Sequence, residues 1–521
     1  MTLAAALAVA TGVFAQVIID PSVEIGPIKC MNAVNNGPRV APASQKKGNF
    51  ESYTDACFPY ARLHDAPLCA AWAHCVDIDC VFPDFNADEN KAESYDFALT
   101  DKLIADILRS GTRVFYRLGQ SIENTAKKYN VYPPRDYKKW ARVCEHIILH
   151  YNEGWADGFH YGIDYWEIWN EPDLGFRAGR YLRDDSPTWN GSDKDYFRFY
   201  ETVSKYLRSR FPHLKIGGPA LCEDNEWADN FLAYCSKHGV KLDFYSYHLY
   251  AGSVEKFEEK NALMKSLLDK YGYSGVEMIL NEWNYLSNWT DEYVYTTEVI
   301  KSNRGAAFDA AVMQACQDGP VDMLMYYDAR PSTSFNGLFD QTTFSTLPAY
   351  YAFYAWKKLR ELGTQISVHK SNAALQSNAV LESDSVLQSN AAHQSDAAHQ
   401  SNVVLESNAA LKSNAALKSD AAHQSDSVLP SNAGGNLKDI RVTAAKGGEG
   451  RIAVLISFFS NDRNRVAPVC VDVAFNNFNV SEIRSFVTDG NKLYTETPVR
   501  FSDGVAKVVM SPDSFMLIEL R

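Results

Sequence analysis

Two hydrophobic periods alternate along the first two-thirds of the chain. Short runs rich in β-branched and aromatic residues read as strands, and longer segments with apolar residues every three or four positions read as helices. The strands are expected at Ile28 to Val34, Tyr60 to Asp65, Arg113 to Leu118, Ile163 to Trp169, Lys215 to Gly218, Phe244 to Leu249, Glu277 to Leu280 and Met323 to Tyr327. Helical spacing covers Tyr95 to Ser110, Asp136 to Tyr151, Tyr196 to Phe211, Trp227 to His238, Val254 to Tyr271, Tyr293 to Cys316 and Pro348 to Leu362. Strands that alternate with helices pair in parallel, and eight such units close into a (β/α)₈ TIM barrel. A doubly wound open sheet is the competing arrangement. It is disfavoured because no glycine-rich phosphate loop follows any of the strands.

The pattern changes after residue 362. Leu437 to Arg521 is β-patterned, with strands expected at Ile452 to Phe459, Val469 to Phe475, Val480 to Phe486, Val505 to Met510 and Phe515 to Leu520. Asp489-Gly490 and Asp503-Gly504 mark turns between them, so this part reads as a small β-sandwich. Ile366 to His369 reads as one more strand of it, and 16–27 alternates weakly enough to join the same sheet. Between them, 371–430 consists of ten tandem hexapeptides of the Ser-Asn-Ala-Ala-Leu-Gln type. A six-residue period advances about 600° around a helix, a net of about 240°, so its leucines build no apolar stripe. His393, His399 and His423 recur there through duplication, not through ligand spacing. The expected organisation is a barrel over 16–362 and a β-sandwich over 363–521, the latter interrupted by the repeats.

Composition and charge narrow the function. The formal net charge of −13 argues against nucleic acid, whose recognition rests on basic patches. No apolar run reaches the roughly 20 residues needed to cross a bilayer. The small apolar run from Thr2 to Phe14, ending Val13-Phe14-Ala15-Gln16, resembles a signal peptide over 1–15, and export is the expected localisation. The ten cysteines show neither C-x-x-C spacing nor zinc-ligand intervals, although Cys69, Cys75 and Cys80 lie close enough for one disulfide in an exported chain. Aromatic residues make up 13% of the chain, and their surplus suits stacking against flat ligands such as sugar rings.

The candidate chemistry gathers where strands end. Tyr165-Trp166-Glu167-Ile168-Trp169 is a short core strand that stops at Asn170-Glu171-Pro172, and Met278-Ile279-Leu280 likewise runs into Asn281-Glu282-Trp283-Asn284. His64 and Asp65, His248 and Tyr250, and Tyr327 and Asp328 fall at other strand ends. In a TIM barrel that face carries the reactive groups. Glu171 and Glu282 end the fourth and seventh strands and point into a shared volume. Two carboxyl groups flanking a bond, one protonated and one ionised, are what glycosidic cleavage requires.

Trp-Glu-Ile-Trp-Asn-Glu-Pro at 166–172 and Asn-Glu-Trp-Asn at 281–284 resemble the acid/base and nucleophile signatures of clan A glycoside hydrolases. Within that clan the chain most resembles glycoside hydrolase family 39, which holds β-xylosidases and α-L-iduronidases. Asn32 to Pro38, Arg62-Leu63-His64-Asp65, Arg117-Leu118-Gly119 and Tyr247-His248-Leu249-Tyr250 add to the likeness. The resemblance implies Glu171 as general acid/base and Glu282 as nucleophile of a retaining mechanism. It also implies a sugar subsite lined by His64, Asn170, His248, Tyr250, Trp283 and Tyr327. Tyr250 would bond Glu282, and Arg62 would pair with Glu171 or Asp65. No cofactor and no metal is called for. The expected substrate is an oligosaccharide or glycoside, first of all a β-xyloside. An iduronidase-like activity is the alternative within the clan, with Arg330, Lys301 and Arg304 as the basic residues near strand eight. A catalytically silent carbohydrate-binding barrel is the alternative of another class.

Overall fold

The computed structural model describes residues 14–40, 48–66, 74–177, 180–181, 186–372 and 437–521. Eight strands close into a barrel: Cys30–Asn35, Tyr60–Arg62, Arg113–Leu118, Tyr165–Ile168, Lys215–Leu221, Phe244–Ala251, Glu277–Tyr285 and Met323–Tyr326. Each is parallel to its neighbours. The expected helices are present with small shifts of their ends. The segment read as one helix from Tyr293 to Cys316 is two, Tyr293–Ile300 and Asn303–Asp318, with Ser302 capping the second. Leu99, which the helical spacing over Tyr95 to Ser110 would place on the apolar face with Leu103 and Ile107, is exposed, while those two are buried.

Inward-facing residues fill the base of the barrel. Ala33, Tyr60, Phe115, Tyr165, Phe244, Ile279, Met323 and Met325 form a separate apolar layer there. The rings of Phe115 and Tyr165 stack at 5.1 Å, with Phe244 5.2 Å from Phe115. Side chains alternate across a strand, so the next inward positions, two residues on, are Arg62, Glu167 and Ser246. The apolar layer thus seals the bottom and leaves a polar chamber toward the strands' carboxyl ends.

The strand Phe14–Pro27 belongs to the second sheet, as the alternation in 16–27 allows. It pairs antiparallel with Thr364–Asn372 and parallel with Val469–Phe475 in the interior of a ten-stranded sheet. The ten strands form one continuous sheet, yet Val454 and Ile518 from one half share a core with Val471 and Val508 from the other. The sheet therefore folds over on itself, and its halves are the two layers of the sandwich. Strand Ile483–Asp489 starts later than its sequence pattern indicates, because Ser481 is taken up by the carbonyl of Arg521. Thr364–Asn372 and Ile440–Lys446 are adjacent antiparallel strands, so the repeat-bearing segment connects neighbours within the sandwich. The repeats, their histidines, Cys69 and the apolar run over 1–13 lie outside the described residues.

Barrel and sandwich share a continuous core. Leu455, Phe459, Phe515 and Leu517 join the core packed between the barrel's strands and its helices. Gln314, on the helix Asn303–Asp318, donates to the Leu455 carbonyl at 2.9 Å and accepts from Ser457 at 2.5 Å.

Candidate active site

The seventh strand is longer than its apolar pattern. It runs on to Tyr285, and Glu282 lies within it. Leu280 pairs with Tyr247 and Glu282 with His248, so Asn281 is an extra residue, a bulge. A bulge re-aims side chains and breaks the alternation. Here it turns two consecutive residues inward: Asn281 Nδ2 reaches Glu167 Oε1 at 2.5 Å, and Glu282 Oε1 reaches Arg62 Nη1 at 2.7 Å.

Arg62 is the centre of the chamber and is fully buried. Its Nε donates to Glu167 Oε2 at 2.6 Å, Nη1 to Glu282 Oε1 and to Asn35 Oδ1 at 3.1 Å, and Nη2 to Asn170 Oδ1 at 2.6 Å. The expected partners were Glu171 or Asp65; the structure gives Glu167 and Glu282 instead. A planar guanidinium bonds in several directions at once, which a lysine cannot do. Glu167 is completed by Ser246 at 2.6 Å and by Asn281. Tyr250 donates to the second Glu282 oxygen at 2.9 Å.

Glu171 is presented differently. The fourth strand ends at Ile168, after which Trp169 (φ 75°) and Glu171 (φ 47°) both take the left-handed region. That conformation is strained for residues with a Cβ. Surrounding contacts hold it. Glu171 N–H donates to the Ala220 carbonyl at 2.9 Å, and its own carbonyl accepts from Thr188 Oγ1 at 2.6 Å. The Trp169 ring is gripped by Trp140, Trp189 and Phe199, and its indole N–H donates to the Thr188 carbonyl. Gly119 makes room for it; a Cβ there would meet the Trp169 backbone at 3.0 Å. Asp173 then ties this turn to the next by accepting the backbone N–H groups of Cys222, Glu223 and Asp224.

The two carboxyls converge. An oxygen of Glu171, an oxygen of Glu282 and a ring nitrogen of His248 lie within 4.8 Å of one another. His248 Nδ1 is 2.7 Å from Glu171 Oε1 and 3.6 Å from Glu282 Oε2. Burial, the largest influence, pushes the Glu171 carboxyl up to about 7. Burial also pushes Glu282 up, opposed by His248 and by the Arg62 guanidinium. Burial lowers His248 to about 4, so the ring is neutral near pH 7 and Arg62 is the lasting positive charge beside Glu282. One carboxyl therefore keeps its proton toward neutrality while the other is bonded to a cation and a hydroxyl.

Several buried polar atoms around this pair have no hydrogen-bond partner: Asn170 Nδ2, His248 Nε2 and both ring nitrogens of His64. Unmet buried donors and acceptors are costly. His64 Nε2 lies 3.8 Å from Glu282 Oε1 and 3.6 Å from Asp65 Oδ2. Arg62 holds the Asn170 oxygen, while the amide nitrogen has no partner. Of the residues singled out in the sequence, His64, Asn170, Glu171, His248, Tyr250 and Glu282 thus come together.

Tyr327 sits at the rim. It donates to Asp65 Oδ2 at 3.2 Å and accepts from Arg330 Nη2 at 3.0 Å, with its ring 6.5 Å from those of His64 and Tyr250. Arg330 is not a solvated loop charge. It is held by Asp328 at 2.6 Å and by the Asp65 carbonyl. Trp283 is elsewhere. Glu282 faces inward, so Trp283 faces out, fully buried in the helical layer against Phe257, Tyr326 and Phe353. It is a core residue and lines no sugar subsite. Sequence reasoning missed Glu167 and Asn35, which meet Arg62 only through the fold, and the bond from Asn281 to Glu167. It also missed Trp289, an exposed indole 5.5 Å from the Tyr250 ring, although its place just after the seventh strand was a usable signal.

A (β/α)₈ barrel with a converging carboxyl pair, one just after strand four and one on strand seven, joined to a folded-over β-sheet domain, defines the class of protein. The chain belongs to the glycosyl hydrolases family 39, whose family model matches residues 68–445. A β-xylosidase of Geobacillus stearothermophilus is 30% identical to it over 189 residues, 33% of this chain and 34% of that protein. The chain thus spans about a third of the length of the curated relatives it matches. Among solved structures, a glucosidase from Croceicoccus marinus superposes with a TM-score of 0.69 at 18% identity, covering 97% of this chain and 99% of that one. A monomeric β-xylosidase from Caulobacter crescentus CB15 superposes at 0.62 and 15% identity, covering 97% and 99%. At these identities the likeness carries the fold.

Proposed function

We propose that this protein is a retaining glycosidase that cleaves β-xylosides or related glycan fragments by double displacement. The observation that carries the reading is the convergence of Glu171, pushed up to about 7, and Glu282, bonded to Arg62 and Tyr250, within 4.8 Å. In retaining enzymes the carboxyls stand about 5–5.5 Å apart, whereas inverting ones leave room for a water at about 6.5–9.5 Å.

In the first step Glu282 attacks the anomeric carbon as Glu171 gives its proton to the departing oxygen, leaving a glycosyl ester on Glu282. In the second, Glu171, now ionised, takes a proton from water; the oxygen attacks the same carbon and Glu282 leaves. Arg62 and Tyr250 favour the charged form of Glu282 and fix its direction. Asn170 Nδ2 is available for the hydroxyl next to the reacting carbon, where hydrogen bonds strengthen in the transition state.

A neutral sugar is favoured over a uronate. Arg330 and Arg304 are turned to Asp328 and Asp513, so these two basic residues, suited to a sugar carboxylate, are engaged elsewhere. The names of the β-xylosidase relatives point the same way. We also propose export, on the apolar run that ends at Ala15. Phe14 and Ala15 pair with Cys470 and Val471, so cleavage before Gln16 would shorten the strand by those two residues; N-terminal sequencing of the secreted protein decides it.

The test of the reaction uses aryl β-xylosides. Glu282→Ala and Glu171→Ala are expected to lose hydrolysis while staying folded. Azide with an activated substrate is expected to rescue Glu171→Ala to the β-azide. Full activity in either variant overturns the assignment, and binding without turnover by the wild type across a glycoside panel replaces it with a sugar-binding role.

A further inference from the structure

The loop after the seventh strand, 286–292, carries Trp289 at the mouth of the site. Trp289 is 58% exposed, the one tryptophan among the exposed large apolar side chains of the described residues. It lies 5.5 Å from both the Tyr250 and Phe335 rings, and Tyr250 is itself bonded to Glu282. An exposed indole beside the ring that bonds Glu282 offers a flat apolar face against which a pyranose ring stacks.

This loop is held from outside the barrel. The sandwich segment after strand Ile452–Phe458 climbs along the barrel wall in steps. Phe459 packs 5.2 Å from Phe308, the Ser460 carbonyl accepts from Arg304 at 2.8 Å, and Asn461 donates to Glu255 at 2.9 Å. At its tip Arg463 forks onto Glu292, at 2.7 and 3.0 Å, and donates to Ser287 at 2.7 Å. Its guanidinium also lies over the Tyr295 ring at 4.2 Å. Glu292 and Ser287 bracket Trp289 from both sides. Within the loop, Asn288 Oδ1 accepts the N–H groups of Thr290 and Glu292, each at 3.0 Å.

We infer that Trp289 is the stacking surface for the pyranose ring adjoining the one cleaved, and that Arg463 of the sandwich is the positioning residue that sets it. The sandwich thereby takes part in substrate selection. The inference rests on the glycosidase reading for the identity of the ligand, not for the placement of the loop.

The test compares xylotriose with a small aryl β-xyloside. Trp289→Ala is expected to raise KM for xylotriose roughly tenfold with kcat within about twofold. Arg463→Ala is expected to do the same to a smaller degree, with an unchanged thermal midpoint. Adding it to Trp289→Ala is expected to change KM no further, because its effect passes through the indole. The exchange Arg463→Glu with Glu292→Arg is expected to restore the wild-type KM. Unchanged KM in Trp289→Ala, or fully additive losses in the double variant, overturns the inference. Calorimetric binding of xylotriose to the same variants supplies a readout free of turnover. If the wild type hydrolyses nothing, the glycosidase reading fails, and a weaker Kd in Trp289→Ala and Arg463→Ala still upholds the stacking surface, while equal Kd values overturn it.

Discussion

Arg62 and Glu282 form an ion pair at 2.7 Å on the chamber floor, the guanidinium without any exposure and the carboxylate side chain with 5%. The same guanidinium bonds Glu167, Asn35 and Asn170, so one cation orders two acids and two amides. Arg62→Met leaves Glu167 and Glu282 buried without a counter-charge, and breaking such a pair costs about 3–5 kcal/mol. Urea unfolding of that variant is expected to show this loss. Arg62→Lys keeps a charge but cannot make the four bonds together. It is expected to stay folded, lower kcat by roughly a hundredfold and move the acid limb of the pH profile upward, since Glu282 loses the partner that favours its charged form.

The pH dependence has a second component. Glu171 must be protonated to assist departure, and burial pushes it up to about 7. Activity is therefore expected to fall above about pH 7, with the alkaline limb abolished in Glu171→Gln on a substrate whose leaving group needs no proton. Stability follows the same group. Its folded value lies above the ordinary 4.5, so its contribution is fully present below pH 4.5 and is lost as pH rises through about 7. The wild type is expected to lose stability relative to Glu171→Gln across that window, on the order of 3 kcal/mol. Thermal midpoints of the two proteins between pH 4 and 8 check the sign; a constant difference defeats it.

How much of this was legible depends on range along the chain. Strand and helix periods are local, so the eight barrel strands and the two strand-end glutamates stood out. So did the strand on the near side of the repeats, because Ile366 to His369 carries its own alternation. The Arg62 network was not legible, since Glu167 and Glu282 lie 105 and 220 positions away and meet it only when the barrel closes. The bulge at Asn281 has no local signature either. Without it, strict alternation from the inward-facing Ile279 would turn Trp283 into the barrel and Glu282 away from it. Arg330, offered as a basic residue for a sugar carboxylate, was no more legible: Asp328 and the Asp65 carbonyl enclose it only in the fold.

Tyr250 donates to Glu282 but is only partly buried, so its two roles separate. Tyr250→Phe removes a hydrogen bond to a charged group, about 1.5–3 kcal/mol where it acts. It is expected to lower kcat/KM by roughly ten- to a hundredfold and to shift the acid limb upward. The unfolding midpoint is expected to move little, because the ring and its contacts with Trp289 and Phe335 remain. A large stability loss with an unchanged pH profile would make Tyr250 a packing residue.

Trp283 poses the reverse case, because it stands next to Glu282 in sequence yet packs behind it. Its ring touches Phe257 and Tyr326 edge-on and lies parallel to Phe353, all in the layer between strands and helices. Truncating a buried tryptophan costs about 3–5 kcal/mol through lost transfer energy and an unfilled cavity. Trp283→Ala is accordingly expected to lower the unfolding free energy by that amount. The fraction that remains folded is expected to keep the wild-type KM, since no face of the indole reaches the chamber. Trp283→Phe, which fills more of the space, is expected to recover most of the stability. A raised KM in Trp283→Phe, measured at a temperature where the variant is fully folded, would return this residue to the sugar subsite.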